Sequence, residues 1–571
     1  MKSRSLHLLL FLMLLFSAVF PLGNAQAQPA AQGASESHEG VFSIVWGNTG
    51  DHGQAVTLFF LHGDDGVTRQ IFMDEELARP FGGVLALNRK RVTVRGAQET
   101  MRTPQGDRNG LRADSIDAPT VSPNPSAAPS ALVSGSKPWV SIMCKFNDDP
   151  AEPKNLAYFQ GMFSSSYPGF DHYWQEQSYG TVNVAGSTAV GWFTLPQPRF
   201  YYVYDMDGNG SPDLNHDRAA DDCTKVADDA GFNFSNIQGI NLMFNANLDG
   251  SAWGGSWCVI LDGVNRCLSM TWEPPWGYEN IAVISHEMGH GFGLPHSSGK
   301  NYLGVRTTYN NRWDVMSDIW TDCGNSTHAT YGCLGQGIIS YHKDLLGWIP
   351  SLRKFTAPGG VSTITLEQLT QPAPGNYLMA QIPIGSTGRF YTVEVRSNLV
   401  GYDIKLPGKA VIIHEVWPTG RTDPADVVDA DGNGNTGDAG AMWTVGETFS
   451  DVANGISVRV DSQSGTSFVV TITTPGPPPT ATAGIYDDKA TVWAYTGTWT
   501  NVTVPSAYSG AYKTSSTVGA SATVYFTGVQ AKLYYTQNST MGKLDVYIDN
   551  VKVTSQPINQ YSLAAGYQKP G

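Results

Sequence analysis

The sequence predicts a multidomain chain in which one α+β domain lies between all-β domains, and three observations predict it. The chain has 571 residues, which is long for one ordinary domain and enough for roughly three or four. Two proline-rich stretches divide it. Residues 116–136 hold Pro119, Pro123, Pro125 and Pro129 among Ser and Ala, and residues 474–483 hold Pro475, Pro477, Pro478 and Pro479; neither composition builds a core. Around them, short alternating runs punctuated by Gly and Asp read as strands, while the clearest helical spacing lies in the middle of the chain.

The N-terminus reads as an address. Lys2 and Arg4 precede an apolar run from Leu6 to Leu22, followed by Ala25-Gln26-Ala27. This is the pattern of a secretory signal peptide, residues 1–27, cut after Ala27. No later segment has the 18 or more apolar residues of a spanning helix, so the mature chain is expected to be secreted and extracellular, without a membrane span. Residues 28–115 contain the runs Val41–Trp46, Ala55–Leu61, Thr68–Met73 and Arg91–Arg95, the signature of a small all-β domain. Joined by a linker to an exported domain, it serves either as a removable pro-region or as an accessory to folding. It contains no cysteine, so it offers no thiolate to a metal.

Residues 137–350 form the α+β domain. Trp139–Lys145, Ile240–Asn245 and Trp257–Leu261 read as strands and Ala219–Ala230 as a helix. Glu279–Phe292 is the best helix in the chain, with Ile281, Ile284, Met288 and Phe292 spaced to bury one face. Residues 351–473 return to strand patterns and form a β-rich accessory domain. Residues 484–571 form a last β-sandwich-like module, without an obvious closing strand. All six cysteines (Cys144, Cys223, Cys258, Cys267, Cys323 and Cys333) lie in the α+β domain. In an oxidising compartment an even number suggests three disulfides. Cys258–Cys267, Cys323–Cys333 and Cys144–Cys223 are the economical choice among fifteen pairings. The formal net charge of −14 argues against nucleic acid as a partner, since no positive field attracts phosphate.

The chemistry is concentrated in His286-Glu287-Met288-Gly289-His290-Gly291-Phe292-Gly293-Leu294-Pro295-His296. Two histidines four apart on a helix share a face, so both imidazoles reach one ion. Glu287 lies beside the first, where its carboxylate can take a proton from a catalytic water. Gly293 permits a backbone turn that other residues resist, and Pro295 marks the end of the helix. His296 then returns as third ligand. Three neutral imidazoles leave a zinc ion at 2+ with its fourth position open, which suits hydrolysis better than a structural role. Chance agreement at all these spacings is on the order of 10⁻⁴.

This stretch resembles the extended zinc signature HExxHxxGxxH of the metzincin peptidases. Trp313-Asp314-Val315-Met316-Ser317 is similar to their Met-turn, which implies that Met316 packs beneath the metal. The position two residues on is Asp318, so the tyrosine some metzincins place there has no counterpart. Closer still are the gametolysin-like and immune-inhibitor-A-like secreted metallopeptidases. The likeness runs through Ser141–Phe146, Tyr341–Trp348, Tyr391–Arg396 and Leu406-Pro407-Gly408, spanning about residues 137–473. Immune-inhibitor-A-like enzymes typically carry Asp as third ligand, so His296 leans toward the gametolysin-like variant. The resemblance implies a metzincin-like (zincin) fold for the α+β domain, with Glu287 as the general base of a peptidase.

Two further segments suggest calcium. Asp205, Asp207, Asn209 and Asp213 alternate with glycines as oxygen ligands do in calcium loops, although His216 stands where an EF-hand has Glu. Asp429, Asp431 and Asn433, with Asp438 following, repeat the pattern more weakly. His342 reads as a solvated histidine and His414 as a strand residue. In the last module Trp493, Tyr495 and Trp499 suit either a core or a carbohydrate or cell-surface contact. The expected activity is a zinc endopeptidase acting on extracellular polypeptides laid along a cleft-edge strand, with Trp257–Leu261 the candidate. A zinc amidase acting on cell-wall or glycan-linked amides, and a non-catalytic adhesin, are the rival readings.

Overall fold

The computed structural model describes residues 35–570 except 50–54, 104–105, 119–131, 207, 324–326, 386, 477–479, 518, 549–550 and 554–555. The expected signal peptide, most of the first proline-rich linker and Asp207 therefore lie outside the described residues. The chain is mostly β with few helices.

Ten strands form the largest sheet: β1 (Glu36–Thr49), β2 (Val56–Gly63), β3 (Thr68–Phe72), β4 (Arg91–Thr103), β5 (Gly106–Asp117), β6 (Trp139–Lys145), β7 (Thr188–Thr194), β8 (Gly239–Phe244), β9 (Ser251–Leu261) and β10 (Val264–Glu273). Their order is β2-β3-β5-β4-β1-β9-β10-β8-β6-β7. The run β10-β8-β6-β7 is parallel, and β9 is antiparallel to β10. All six residues of β8 are buried, as are six of seven in β6, which explains why both read as continuous apolar runs. On one face lies α1 (His216–Asp229), whose N-cap Asn215 accepts from the Arg218 amide. Against β9 and β10 packs α2 (Ile281–Phe292), and all twelve of its residues are buried. The expected apolar face is there, but the opposite side is enclosed as well.

The sheet corrects the expected division of the chain. β1 pairs with β9, from Val45 opposite Gly255 to Thr49 opposite Ser251, so the N-terminal strands and the α+β domain share one sheet. Val45, Leu58 and Phe60 belong to the same core cluster as Trp253 and Trp257. The physical reason is that the outer edge of β9 presents amides and carbonyls that need partners, and β1 supplies them. The linker is also shorter than the expected 116–136. β5 runs to Asp117, and Val133 is anchored by its amide to the Leu346 carbonyl and by its carbonyl to Trp348 Nε1, at 3.2 and 2.8 Å.

The boundary at residue 350 is crossed in the same way. Ser297–Lys300 and Arg306–Thr307 join a seven-stranded sheet completed by Ala425–Val427, Ala410–Val416, Phe390–Arg396, Met379–Pro383 and Lys354–Thr356. A four-stranded sheet packs on it through Ile364, Val458 and Val470 against Val393 and Val411. The last module departs from a sandwich. Among the described residues after 484 the strands form five separate two-stranded ladders, and Trp493, Tyr495 and Trp499 are half-buried. Tyr495 and Trp499 meet edge to face at 5.1 Å, with Lys513 Nζ 3.8 Å from the Tyr495 ring. Tyr495 and Trp499 therefore partner each other, and Tyr495 a lysine, rather than standing as an open platform.

Cysteines pair as Cys144–Cys223, Cys258–Cys267 and Cys323–Cys333, with Cα separations of 5.9, 3.9 and 5.5 Å. Cys258 and Cys267 are direct cross-strand partners in the β9–β10 hairpin. Among the described residues no helix is long and apolar enough to cross a membrane.

Candidate metal centre

The helix α2 ends at Gly293, whose φ of 98° is left-handed and whose amide donates to the Gly289 and His290 carbonyls. That turn brings His296 back over the helix. The Nε2 atoms of His286, His290 and His296 lie 3.0, 3.1 and 3.2 Å apart, close to the ~3.3 Å edge of a tetrahedral site with ligands at about 2.0–2.1 Å. Among the described residues this is the one histidine, cysteine or carboxylate cluster with metal-binding geometry. The chemistry of the donor set points the same way. His286 Nδ1 faces the Val315 carbonyl at 2.6 Å and His290 Nδ1 the Leu294 carbonyl at 2.8 Å. A carbonyl only accepts, so both protons sit on Nδ1 and both Nε2 atoms present lone pairs to each other. Such an arrangement repels itself unless a cation lies between. Burial lowers all three histidines, His286 to about 4, with the neighbouring imidazoles adding to the effect at His290 and His296; they are neutral, as ligands must be. The residues fit a zinc ion.

The support beneath the histidines comes from the Met-turn segment. A Cβ on Gly289 would lie 2.4 Å from Met316 Sδ, so glycine allows the methionine to sit directly against α2. Asp314 Oδ2 accepts from Ser297 Oγ at 2.7 Å, and Asp314 Oδ1 from the Met316 amide at 3.2 Å. His342, read as solvated, is instead completely buried, with Nδ1 2.9 Å from Asp314 Oδ2. Burial of an imidazole here is tolerated because a carboxylate faces it; hydrogen bonds and His342 hold the Asp314 carboxyl down near 2 against its own burial. Asp318 is turned away from the metal group, its Oδ1 capping the Trp320 and Thr321 amides. The accessory strands contribute too. Arg396, fully buried, pairs with Asp403 at 2.6 Å and donates to the Trp313 carbonyl, so the downstream β region braces the Met-turn.

Glu287 lies beside the histidines and is fully buried. Burial, and then the Glu273 carboxylate, push its carboxyl well above the ordinary range; a divalent cation nearby would draw it back. Gly254 of β9 lies against it, since a Cβ there would be 2.4 Å from the Glu287 carbonyl and 2.8 Å from Oε2. The part of β9 that lies against Glu287 is therefore Gly254, paired with Trp46 of β1 on one side and Thr271 of β10 on the other.

Three residues at the centre have no signal in the sequence. Asn48 of β1 donates from Nδ2 to Glu287 Oε1 at 2.8 Å, and its Oδ1 lies 2.9 Å from His296 Nε2. The Tyr309 hydroxyl donates to the same Oδ1 at 2.6 Å. Trp46 stacks on the His290 ring at 4.7 Å with planes 9° apart. The one available hint was the pair Gly254-Gly255, because glycines inside a strand often mark close backbone approach.

The two polar loops are built differently from one another. Asp205 accepts from the Gly208, Asn209 and Gly210 amides and Asp213 from the Met206 amide, an arrangement that satisfies these carboxylates without a cation. In the second loop Asp429 accepts from the Gly434 amide through Oδ2, while its Oδ1 is buried without a hydrogen-bond partner. Asn433 bridges Asp431 and Asp438, and burial together with Asp431 raises the Asp429 carboxyl.

No family model matches the chain, and no curated protein matches it. A solved structure, wild-type OgpA from Akkermansia muciniphila, is similar over 53% of this chain and 95% of that one, at 10% identity and a TM-score of 0.22. A likeness of that size carries no argument about fold or activity.

Proposed function

We propose that this chain is a secreted zinc-dependent endopeptidase that hydrolyses extracellular polypeptides. One observation carries the reading: three neutral imidazoles converge beside a carboxylate, and a carboxamide already sits between that carboxylate and a tyrosine hydroxyl. A zinc ion held by His286, His290 and His296 would supply Lewis-acid activation of water and of the scissile carbonyl. Glu287 takes a proton from the attacking water and returns it to the leaving amine nitrogen. Tyr309 donates its hydroxyl to the carbonyl oxygen, strengthening as negative charge develops there. Three disulfides suit an oxidising, extracellular setting.

The test is metal analysis and hydrolysis of a fluorogenic peptide by the wild type and Glu287→Ala, before and after cleavage within residues 119–131. One zinc per chain is expected in both proteins, with hydrolysis in the cleaved wild type alone. Loss of zinc from Glu287→Ala, or equal turnover in the two, would refute the role given to Glu287.

A further inference from the structure

Between His296 and the Met-turn the chain forms a hairpin. Ser297–Lys300 pairs antiparallel with Arg306–Thr307, Gly299 opposite Thr307 and Lys300 opposite Arg306. Its feet stand in the metal group: the first strand starts at the residue after His296, and Tyr309 follows the second, with the His296 and Tyr309 rings 5.9 Å apart. Several contacts fix the hairpin in place. The Ser297 amide donates to the Met316 carbonyl at 3.2 Å, Asn310 Nδ2 donates to the Lys300 carbonyl at 2.7 Å, and Arg306 pairs with Asp423 and Asp426, each at 2.6 Å. The tip is equally ordered. Asn301 Oδ1 accepts from the Leu303 and Val305 amides, both at 3.0 Å, and Gly304 takes the left-handed conformation of the turn, with φ 71°.

Nothing in that turn requires apolar side chains at its other positions. Yet Tyr302, Leu303 and Val305 are 73%, 68% and 56% exposed, and none of them belongs to a core cluster. Single exposed apolar residues are ordinary, whereas three on one rigid tip mark a contact surface. An apolar tip suits a lipid surface or a polypeptide, and charge decides between them. Gly434 abuts the tip, since a Cβ there would be 2.5 Å from the Tyr302 amide nitrogen, and its loop carries Asp429, Asp431 and Asp438. Elements that insert into a lipid surface carry basic residues that meet anionic headgroups; carboxylates in that place repel them. A polypeptide held for hydrolysis meets no such barrier, and the feet of the hairpin put the tip on its path. At about 3.3 Å per residue, the stretch from His296 to Lys300 carries the tip roughly 13 Å from the metal group, a length that an extended peptide covers in about four residues. We propose that Tyr302, Leu303 and Val305 bind apolar side chains of the polypeptide substrate, about four to five residues from the scissile bond. This rests on the peptidase reading above and adds to it a selection made away from the reacting atoms.

The experiment uses two fluorogenic peptides with the same central cleavable sequence of about eight residues, one ending on each side in Leu-Phe-Leu and the other in Ser-Gly-Ser. Hydrolysis is measured with the zinc protein cut within residues 119–131, as wild type and as the double variant Tyr302→Ser/Leu303→Ser. Binding of both peptides to the uncut chains is measured by fluorescence anisotropy. The wild type should hydrolyse the apolar-ended peptide with roughly tenfold higher kcat/KM, the gain lying in KM. The double variant should bring that ratio close to one at an unchanged melting temperature. Equal ratios in the two proteins, or no preference in the wild type, would overturn the proposal. Sedimentation with vesicles of phosphatidylcholine and phosphatidylglycerol tests the other partner: wild type carried down while the variant stays in solution would overturn it in favour of lipid. Should neither peptide be cleaved by any form, the binding measurement decides. Tighter binding of the apolar-ended peptide by the wild type than by the double variant keeps the tip as a polypeptide site and removes the peptidase reading; equal binding removes both.

Discussion

The two sides of the metal group are held by different kinds of structure. Below, the Val315 and Leu294 carbonyls hold His286 and His290, and Met316 lies against Gly289. Above, β1 lays Trp46 on His290 and Asn48 on Glu287. The lower side belongs to the same cores as the rest of the α+β domain, braced by the Asp314–His342 and Arg396–Asp403 contacts. The upper side belongs to a segment connected through a proline-rich linker. The three ligand candidates all come from the lower side, while the upper side contributes groups that touch them from β1, a strand of the same sheet.

The largest expected contrast is between His290→Ala and Asn48→Ala. Removing a ligand should weaken zinc by more than the ~10–100-fold that loss of an outer partner costs, and abolish hydrolysis after cleavage. Asn48→Ala should leave zinc affinity within that range and leave the cleaved enzyme fully active. Competition with a zinc-binding dye measures both. Similar losses in the two variants would mean that the sides are not separable.

Acid should weaken both halves through histidines that are not ligands. His62, on the upper side, is lowered to about 4 by burial, and His414, behind the Met-turn, to about 3 for the same reason. Both are neutral when folded, whereas in the unfolded chain they protonate near 6.5. Between those values the unfolded state binds more protons, so stability falls as pH drops through 6.5 and stops falling below about 4 and 3 respectively. Each histidine should contribute a few kcal/mol to this loss. Urea midpoints at neutral and mildly acidic pH should converge in His62→Gln and in His414→Gln relative to wild type. Unchanged slopes would show that these groups are solvated.

Gly254→Ala strikes the seam between the sides. The added Cβ meets the Glu287 backbone and carboxylate, and the rigid neighbours should cost about 1–3 kcal/mol in stability, together with lower activity after cleavage. Gly542→Ala, where an added Cβ meets open space and the backbone is not left-handed, provides a comparison remote from the site. A Gly254→Ala protein with unchanged melting and turnover would remove the close approach from the argument.

The smallest effect concerns the two polar loops. Millimolar calcium should raise the melting temperature by about 2–4 °C, and Asp429→Asn should remove most of that rise, while Asp205→Asn should not. The unpartnered Asp429 oxygen beside Asp431 is relieved by a cation, whereas the Asp205 oxygens are already engaged by amides. A calcium shift lost with Asp205→Asn instead would reverse the ranking of the loops.

By itself the sequence determined what is local. The spacing of His286, His290 and His296, the αL turn at Gly293 and the burial of Met316 follow from helical geometry and from glycine's freedom within a few residues of chain. The strand Trp139–Lys145 is legible because burial on both faces makes it continuously apolar. What the tertiary structure decided is everything that depends on residues far apart. Asn48 and Glu287 are 239 positions from each other, and no periodicity links an asparagine in a strand to a carboxylate on a helix. Tyr309 was invisible because the expected tyrosine position, Asp318, is local to the Met-turn, whereas the hydroxyl that reaches Asn48 comes from the preceding loop. The same reason hid the shared sheet. A strand's side-chain pattern reports which face is buried, while the hydrogen bonds of its edge carry no side-chain signature, so the sequence could show that β1 and β9 are strands but not that they pair.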